Sequence, residues 1–247
     1  MKARLLQLQQ AFKNTGVSSL VPGFYDDPSF VKAEQEFPTL LDAYAEYCVL
    51  AAAEESSTEI KKRIVRLVSF LSPLIAAQGR NGRCLPTTLL VQRFLDAEGV
   101  WNFPQKGGIV LNFPPESKLV PKVLEPTDVG GHTFGHAWNV APPFIIDLTI
   151  ARQFYSSTEE AYISGDLLVE EVATAPISPF SEHPSETIQR LFPPFSVPLA
   201  QCSISYYPYG TGGPTESFVA MTQPVLDELT PFDLFQSFGR WKKEQLV

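Results

Sequence analysis

The sequence predicts an α+β fold, in which a group of helices precedes an antiparallel sheet. Apolar residues recur at helical spacing through the first two fifths of the 247-residue chain. After Gly99 the pattern changes to short β-rich runs separated by Pro and Gly. Helices first and strands later are typical of α+β domains. We expect residues 1–247 to form one domain, with a helical part (1–77), a core (78–154) and a proline-rich part (155–247) that completes and covers the sheet.

Four helices are predicted before the β-rich runs, three of them in residues 1–77. The first covers "ARLLQLQQAF" and ends at Gly16, and the second covers "FPTLLDAYAEYCVLAAA". Ser56 and Glu59 have the spacing of a capping box and open the third, "TEIKKRIVRLVSFLSPLIAA". The fourth follows the turn "QGRNGRC", tolerates Pro86 in its first turn and ends before Gly99.

Four β-rich runs follow: "GGIVLNF", "GHAWNV", "FIIDLTI" and "QCSISYY". The stretch "PISPFSEHPSETIQRLFPPFSVP" is so rich in proline that we expect irregular coverage there instead of strands. "LTPFDLFQSFGRWKKEQLV" is expected to be a helix or two short turns.

The composition and net charge limit the kinds of protein and partner that fit this sequence. Hydrophobic residues make up 44% and charged residues 19%, which supports a folded core. A net charge of −8 disfavours nucleic acid as a partner. Three cysteines without a C-x-x-C spacing indicate a reducing compartment. We find no signal-peptide pattern and no run of about 18 apolar residues, so we expect a cytoplasmic protein with no membrane partner.

Cys84 is the first candidate for chemistry. It stands where the fourth helix begins, and a helix N-terminus lowers a thiol pKa because its free N–H groups stabilise the thiolate. The same N–H groups, with the side chain of Gln78, are placed to bind an oxyanion. The alternative is an inert buried cysteine, a common state of free thiols. Cys48 on a helix stripe and Cys202 in a strand are expected to be structural.

A thiol nucleophile needs a base, and His136 is the candidate. A loop from Val140 to Pro143 would make a hairpin that pairs Asn139 with Phe144. That register places His136 directly opposite Asp147 on one face of the sheet, within about 5 Å between Cβ atoms. A carboxylate so placed orients an imidazole and fixes its tautomer. The alternative is an ordinary hydrogen-bonded histidine in a sheet.

A zinc site is the competing interpretation, with His132, His136 and Asp147 or Cys84 as ligands. An H-x3-H pair suits a helix face, whereas glycines and strand-like residues surround this one. We therefore expect no metal and no cofactor. His132 is expected in a loop beside the site and His183 on the surface.

The stretches around these residues resemble a known superfamily. "QGRNGRC" resembles the glutamine-to-cysteine turn of papain-like thiol enzymes, and "GHAWNV…FIIDLTIARQF" is similar to the histidine and aspartate strands of the transglutaminase-like branch. The resemblance covers about residues 78–154. Leu85 stands where papain-like and animal transglutaminase sequences usually carry tryptophan.

The resemblance implies a papain/transglutaminase-like fold, with the cysteine at the N-terminus of a central helix packed on the sheet and with extra N-terminal helices. It implies Cys84 as nucleophile, His136 as general base and acid and Asp147 as the orienting carboxylate. Trp138 and Phe134 are expected either to wall the cleft or to be core aromatics.

The function that these residues predict is acyl transfer through a thioester. The donor is a peptide, amide or thioester, free or carried on a larger molecule, and the acceptor is an amine, as in transglutaminase-like chemistry. A hydrolase that uses water as the acceptor (a protease, amidase or deamidase) shares the same triad. A binding protein that keeps the fold without catalysis is the remaining alternative.

Overall fold

The computed structural model describes residues 1–77, 83–125, 127–129, 132–163, 165–169, 172–175, 179–180, 185–213 and 231–244. The helices are α1 (Lys2–Asn14), α2 (Pro28–Glu36), α3 (Leu40–Ala52), α4 (Ser57–Ala77), α5 (Cys84–Ala97), α6 (Ser157–Glu160), α7 (Glu186–Leu191) and α8 (Pro231–Glu244). The strands are β1 (Phe103–Asn112), β2 (Lys122–Leu124), β3 (Thr127–Val129), β4 (His132–Phe134), β5 (His136–Ala141), β6 (Phe144–Asp147), β7 (Leu167–Val169), β8 (Ala173–Thr174), β9 (Phe195–Leu199) and β10 (Cys202–Thr211).

The four predicted N-terminal helices are present as α1, α3, α4 and α5. Their boundaries follow local chemistry: α4 begins directly after Ser56, and Gly99, with a φ of 69°, follows the end of α5. Helix α2 was not among the sequence predictions. The side chain of Asp27 accepts a hydrogen bond from the Ser29 amide, and Pro28 occupies the first helical turn, so its start signal is present in the sequence.

Eight of the described strands form one antiparallel sheet. Seven run in the order β7-β6-β5-β1-β10-β9-β8, and β2 pairs with β1 beyond the end of β5. Strands β3 and β4 form a separate hairpin between β2 and β5 in the chain. The molecule is therefore mixed α+β with an antiparallel sheet, as the sequence predicts.

The prediction that the proline-rich stretch contains no strand is wrong for residues 195–199. Strand β9 pairs with β10 along its length, and Pro198 lies opposite Ser203. Strand β8 covers only the other end of β9, at Phe195 and Ser196. Pro198 therefore lies where β9 has no second neighbour among the described strands, so its missing N–H leaves no ladder bond unmade.

The sheet is curled. Strands β7 and β8 lie at its opposite edges, yet Val169 ends one and Ala173 begins the other. Four residues of chain span at most about 14 Å. Seven strands laid flat would place the outer two about 29 Å apart. The edges must therefore approach each other, and the sheet acquires a concave side.

Helices cover both sides of the sheet. One core contains Trp138 and Tyr206 with side chains of α1 and α3, and the other contains Phe144 with side chains of α4 and α5. Phe238 of α8 packs in the second core. Across the described parts of the chain, no helix has the length and apolar character needed to cross a membrane.

Candidate active site

Helix α5 brings Cys84 to the start of β5. Cys84 is the first residue of α5, so its N–H has no partner within the helix. The helix lies along β5: Thr88 Oγ1 donates to the Ala137 carbonyl at 3.0 Å, and Asn139 Nδ2 donates to the Thr88 carbonyl at 3.0 Å. The Cys84 Sγ then lies 4.0 Å from the carbonyl oxygen of Gly135, the residue before His136.

His136 and Asp147 form a buried pair. Nε2 of His136 lies 2.6 Å from Oδ2 of Asp147, and the two residues are 2% and 1% exposed. The pairing predicted from the sequence is thus present, in the sense that the carboxylate contacts the imidazole.

The register that led to this prediction is wrong by two residues. Asn139 pairs with Ile146, because Pro142 and Pro143 alone form the turn. His136 is therefore diagonal to Asp147 instead of directly opposite it. Side chains alternate between faces with a period of two, so a shift of two residues keeps both on the same face. The side chains close the longer diagonal gap.

Both carboxylate oxygens of Asp147 accept hydrogen bonds. Oδ1 accepts from the Thr149 amide at 2.9 Å and from Thr149 Oγ1 at 3.0 Å. Oδ2 accepts from the Tyr206 hydroxyl at 2.9 Å as well as from His136. Three donors besides the imidazole hold the buried charge in one orientation, so the carboxylate can stay ionised and fix the imidazole ring.

Tyr206 and Thr149 were not predicted from the sequence. The Asp-x-Thr spacing is a signal for Thr149, because aspartate side chains commonly accept from the amide two residues on. Tyr206 has no local signal, since it lies 59 residues from Asp147 and reaches it across the sheet. Gly107 lies opposite His136 on the intervening strand, and a Cβ there would meet Trp138 Cη2 at 2.8 Å.

The other ring nitrogen of His136, Nδ1, is unpaired in the described part of the chain. Nδ1 of His136 is buried and has no hydrogen-bond partner within the described residues. With Nε2 held by Asp147, Nδ1 is the ring nitrogen left to accept a proton. The site therefore contains a buried imidazole that a carboxylate orients, and helix α5 brings Cys84 to the start of the same strand.

The pKa values of Cys84, His136 and Asp147 are all shifted towards the charged forms of these side chains. Burial raises the pKa of the Cys84 thiol, but the hydrogen bond and charge of His136 outweigh burial and lower it below the ordinary value. Burial lowers the pKa of His136, but the charge and hydrogen bond of Asp147, together with the interaction with Cys84, outweigh burial and raise that pKa to about 10. Burial raises the pKa of Asp147, but the charge of His136 and the hydrogen bonds from His136, Thr149 and Tyr206 together lower it below the ordinary value. An imidazolium at His136 thus stabilises both a thiolate at Cys84 and the carboxylate of Asp147, whereas the charge of Asp147 itself disfavours the thiolate.

The other cysteines lack this environment. Cys48 is buried in α3, and burial raises its pKa well above the ordinary value. Cys202 begins β10, and burial raises its pKa as well. Cys84 is the half-buried cysteine and the one whose pKa is lowered, which are the features of a reactive cysteine.

The remaining predicted site residues separate into two groups. Trp138 is fully buried and stacks on His136 at 6.1 Å between ring centroids, so it packs against the imidazole from within the core. Gln78 and His183 lie outside the described residues, as do the side chains of His132 and Phe134 in β4. In the part of the chain that is described, no three His, Cys, Asp or Glu side chains group so as to hold a metal ion.

Comparison with protein-family models, curated proteins and solved structures finds no match to this chain, so the chemistry of the site is inferred from its own residues.

Proposed function

We propose that this protein is a thiol acyltransferase that forms a thioester on Cys84. The observation that carries the proposal is the buried His136–Asp147 pair beside a thiol whose pKa is lowered at the start of a helix. A structural histidine needs no oriented carboxylate and no neighbouring thiol. In nucleophilic catalysis by cysteine, the thiol is activated by a neighbouring base, and a third group commonly orients that base.

The first half-reaction acylates the enzyme. The Cys84 thiolate bonds to the carbonyl carbon of the donor, and the carbonyl electron pair moves to oxygen. The backbone N–H of Cys84 is free to donate to this oxyanion, and the sequence offers Gln78 as a second donor. As the carbonyl re-forms, the bond to the leaving nitrogen breaks, and Nδ1 of His136 gives that nitrogen its proton.

The second half-reaction releases the acyl group. An amine attacks the thioester carbonyl, Nδ1 of His136 takes the proton of the amine, and the Cys84 thiolate leaves. This step restores the starting ion pair and produces a new amide. Asp147 keeps its hydrogen bond to Nε2 throughout, so the imidazole cycles between one and two protons without turning.

The arrangement of elements also supports a papain-like assignment. A cysteine opens a helix that packs along a strand of an antiparallel sheet, and that strand begins with the histidine. We propose that the resemblance of residues 78–154 to transglutaminase-like enzymes reflects this shared arrangement.

The test is intact mass spectrometry after incubation with a panel of amides, peptides and thioesters. We expect an acyl adduct on the wild-type chain and on Cys202→Ala, and none on Cys84→Ala. Added amines should release the adduct as amides, whereas release only as free acid would identify a hydrolase. A chain that forms no adduct with any donor, and whose Cys84 reacts with iodoacetamide no faster than Cys48, would contradict the proposal and favour a binding protein.

A further inference from the structure

We propose that the concave side of the sheet contains a second binding site, for a small apolar molecule that carries one uncharged amide. A cavity of about 310 Å³ lies there, within the roughly 300–1,000 Å³ typical of small-molecule sites. Its walls are mainly apolar and include Val140, Ile145, Phe192 and Phe195. Val172, at the start of β8, is exposed and also lines the cavity, so the cavity meets solvent there.

Two polar side chains belong to this otherwise apolar cavity. Gln105 and Trp138 both line it, and both are fully buried. Oε1 of Gln105 and Nε1 of Trp138 have no hydrogen-bond partner in the described part of the protein. Buried polar groups are nearly always paired, so an unpaired acceptor and an unpaired donor at one cavity need an explanation.

The orientation of the Gln105 amide is fixed by its neighbours. Its Nε2 donates to the Gly210 carbonyl at 2.6 Å and to the Lys106 carbonyl at 3.3 Å. Carbonyl oxygens only accept, so the nitrogen must face them and Oε1 must face the other way. The unpaired atom of Gln105 is therefore an acceptor, whereas the indole N–H of Trp138 can only donate.

The two groups are close enough to bind one functional group. Gln105 and Trp138 are directly paired across β1 and β5, so their Cβ atoms lie on the same face about 5 Å apart. The complementary ligand group has a donor and an acceptor side by side. An uncharged amide has both, an ester lacks the donor, and a carboxylate lacks the donor and brings an unpaired charge into an apolar cavity.

This cavity is separate from the candidate active site. Trp138 lines the cavity and its ring stacks on the imidazole, whereas neither Cys84 nor His136 lines the cavity. Gln105 Oε1 and Trp138 Nε1 are inaccessible to water. A ligand reaches them through a change of side-chain rotamer, which is common on binding. Binding therefore neither requires nor tests the proposed acyl transfer.

The test is calorimetric titration of the Cys84→Ala chain, which cannot be acylated at that residue, with phenylpropanamide, its methyl ester analogue and phenylpropanoate. One net hydrogen bond predicts that the amide binds at least about fivefold more tightly than the ester. The carboxylate should bind more weakly still. Trp138→Phe should weaken amide and ester alike, because each uses its carbonyl to accept from the indole N–H.

A matched pair of variants locates the site. Val172 is 46% exposed and lines the cavity, whereas Val123 is 49% exposed in β2 and does not. Val172→Trp should weaken amide binding at least about tenfold by filling the entrance, and Val123→Trp should leave it unchanged. Equal affinities for amide and ester, equal effects of the two tryptophan variants, or no binding by a folded Val123→Trp chain would each overturn the proposal.

Discussion

Replacing Asp147 by Asn is the sharpest test of the proposed thiolate. Asparagine has nearly the same shape, and its oxygen can still accept from Thr149 at the place of Oδ1. Its NH₂ group would then face His136 Nε2 and the Tyr206 hydroxyl, both of which can accept. The imidazole must accept at Nε2 and so carries its proton on Nδ1. It then cannot take the proton of Cys84.

The magnitude follows from the pKa of His136. With Asp147 present that pKa is about 10, and without the carboxylate charge burial should take it below the ordinary 6.5. Such a fall corresponds to about 5 kcal/mol of lost preference for the imidazolium. The pKa of Cys84 should rise in turn, because its lowering depends on His136. At about pH 7 we expect the thiol to react at least about 100-fold more slowly.

The assay is alkylation by iodoacetamide, followed by intact mass and assigned to Cys84 by peptide mapping. The wild-type rate should rise with pH through the lowered thiol pKa and then level off, whereas the Asp147→Asn rate should rise only at more alkaline pH. Asp42→Asn is the control, since Asp42 lies in α3 and its hydrogen-bond partner is Ser185, outside the site. An Asp147→Asn chain that stays folded and labels at the wild-type rate would refute the thiolate–imidazolium pair.

Three further predictions concern stability. Tyr206→Phe should lower the free energy of unfolding in urea by about 1.5–3 kcal/mol, because the buried carboxylate of Asp147 loses a donor; no change would show that the bond contributes nothing. Burial raises the pKa of Asp96 to about 7, so the folded protein binds a proton that the unfolded chain releases. The contribution of Asp96 to stability should therefore be full below the ordinary pKa of 3.8 and fall by up to about 1.4 kcal/mol per pH unit until about pH 7, and the difference in stability between the wild type and Asp96→Asn, measured in melts across that range, should show this slope. Gly107→Ala should cost about 1–3 kcal/mol, because its Cβ would meet a backbone carbonyl and an indole ring, while Gly210→Ala, with open space around it, should stay within about 0.5 kcal/mol of the wild type in the same urea titration.

The local elements of this protein were determined by its sequence. Helices α3 and α4 each bury an apolar face, and α5 begins at Cys84. These features depend on residues within one helical turn of each other. The shared face of His136 and Asp147 also followed from the sequence, although the predicted register was wrong. Side chains alternate between the two faces of a strand, so a register that is wrong by an even number of residues still places both side chains on the same face.

Only the tertiary structure decided which distant groups meet. Tyr206 contacts Asp147 because the curled sheet brings β10 towards β6, and Pro198 is accepted in β9 because β8 ends short of it. The pairing of Gln105 with Trp138 at a cavity likewise depends on strands that are far apart in the chain. Backbone geometry fixes which way a side chain points within one element, whereas partners across a sheet are selected by the packing of the whole chain.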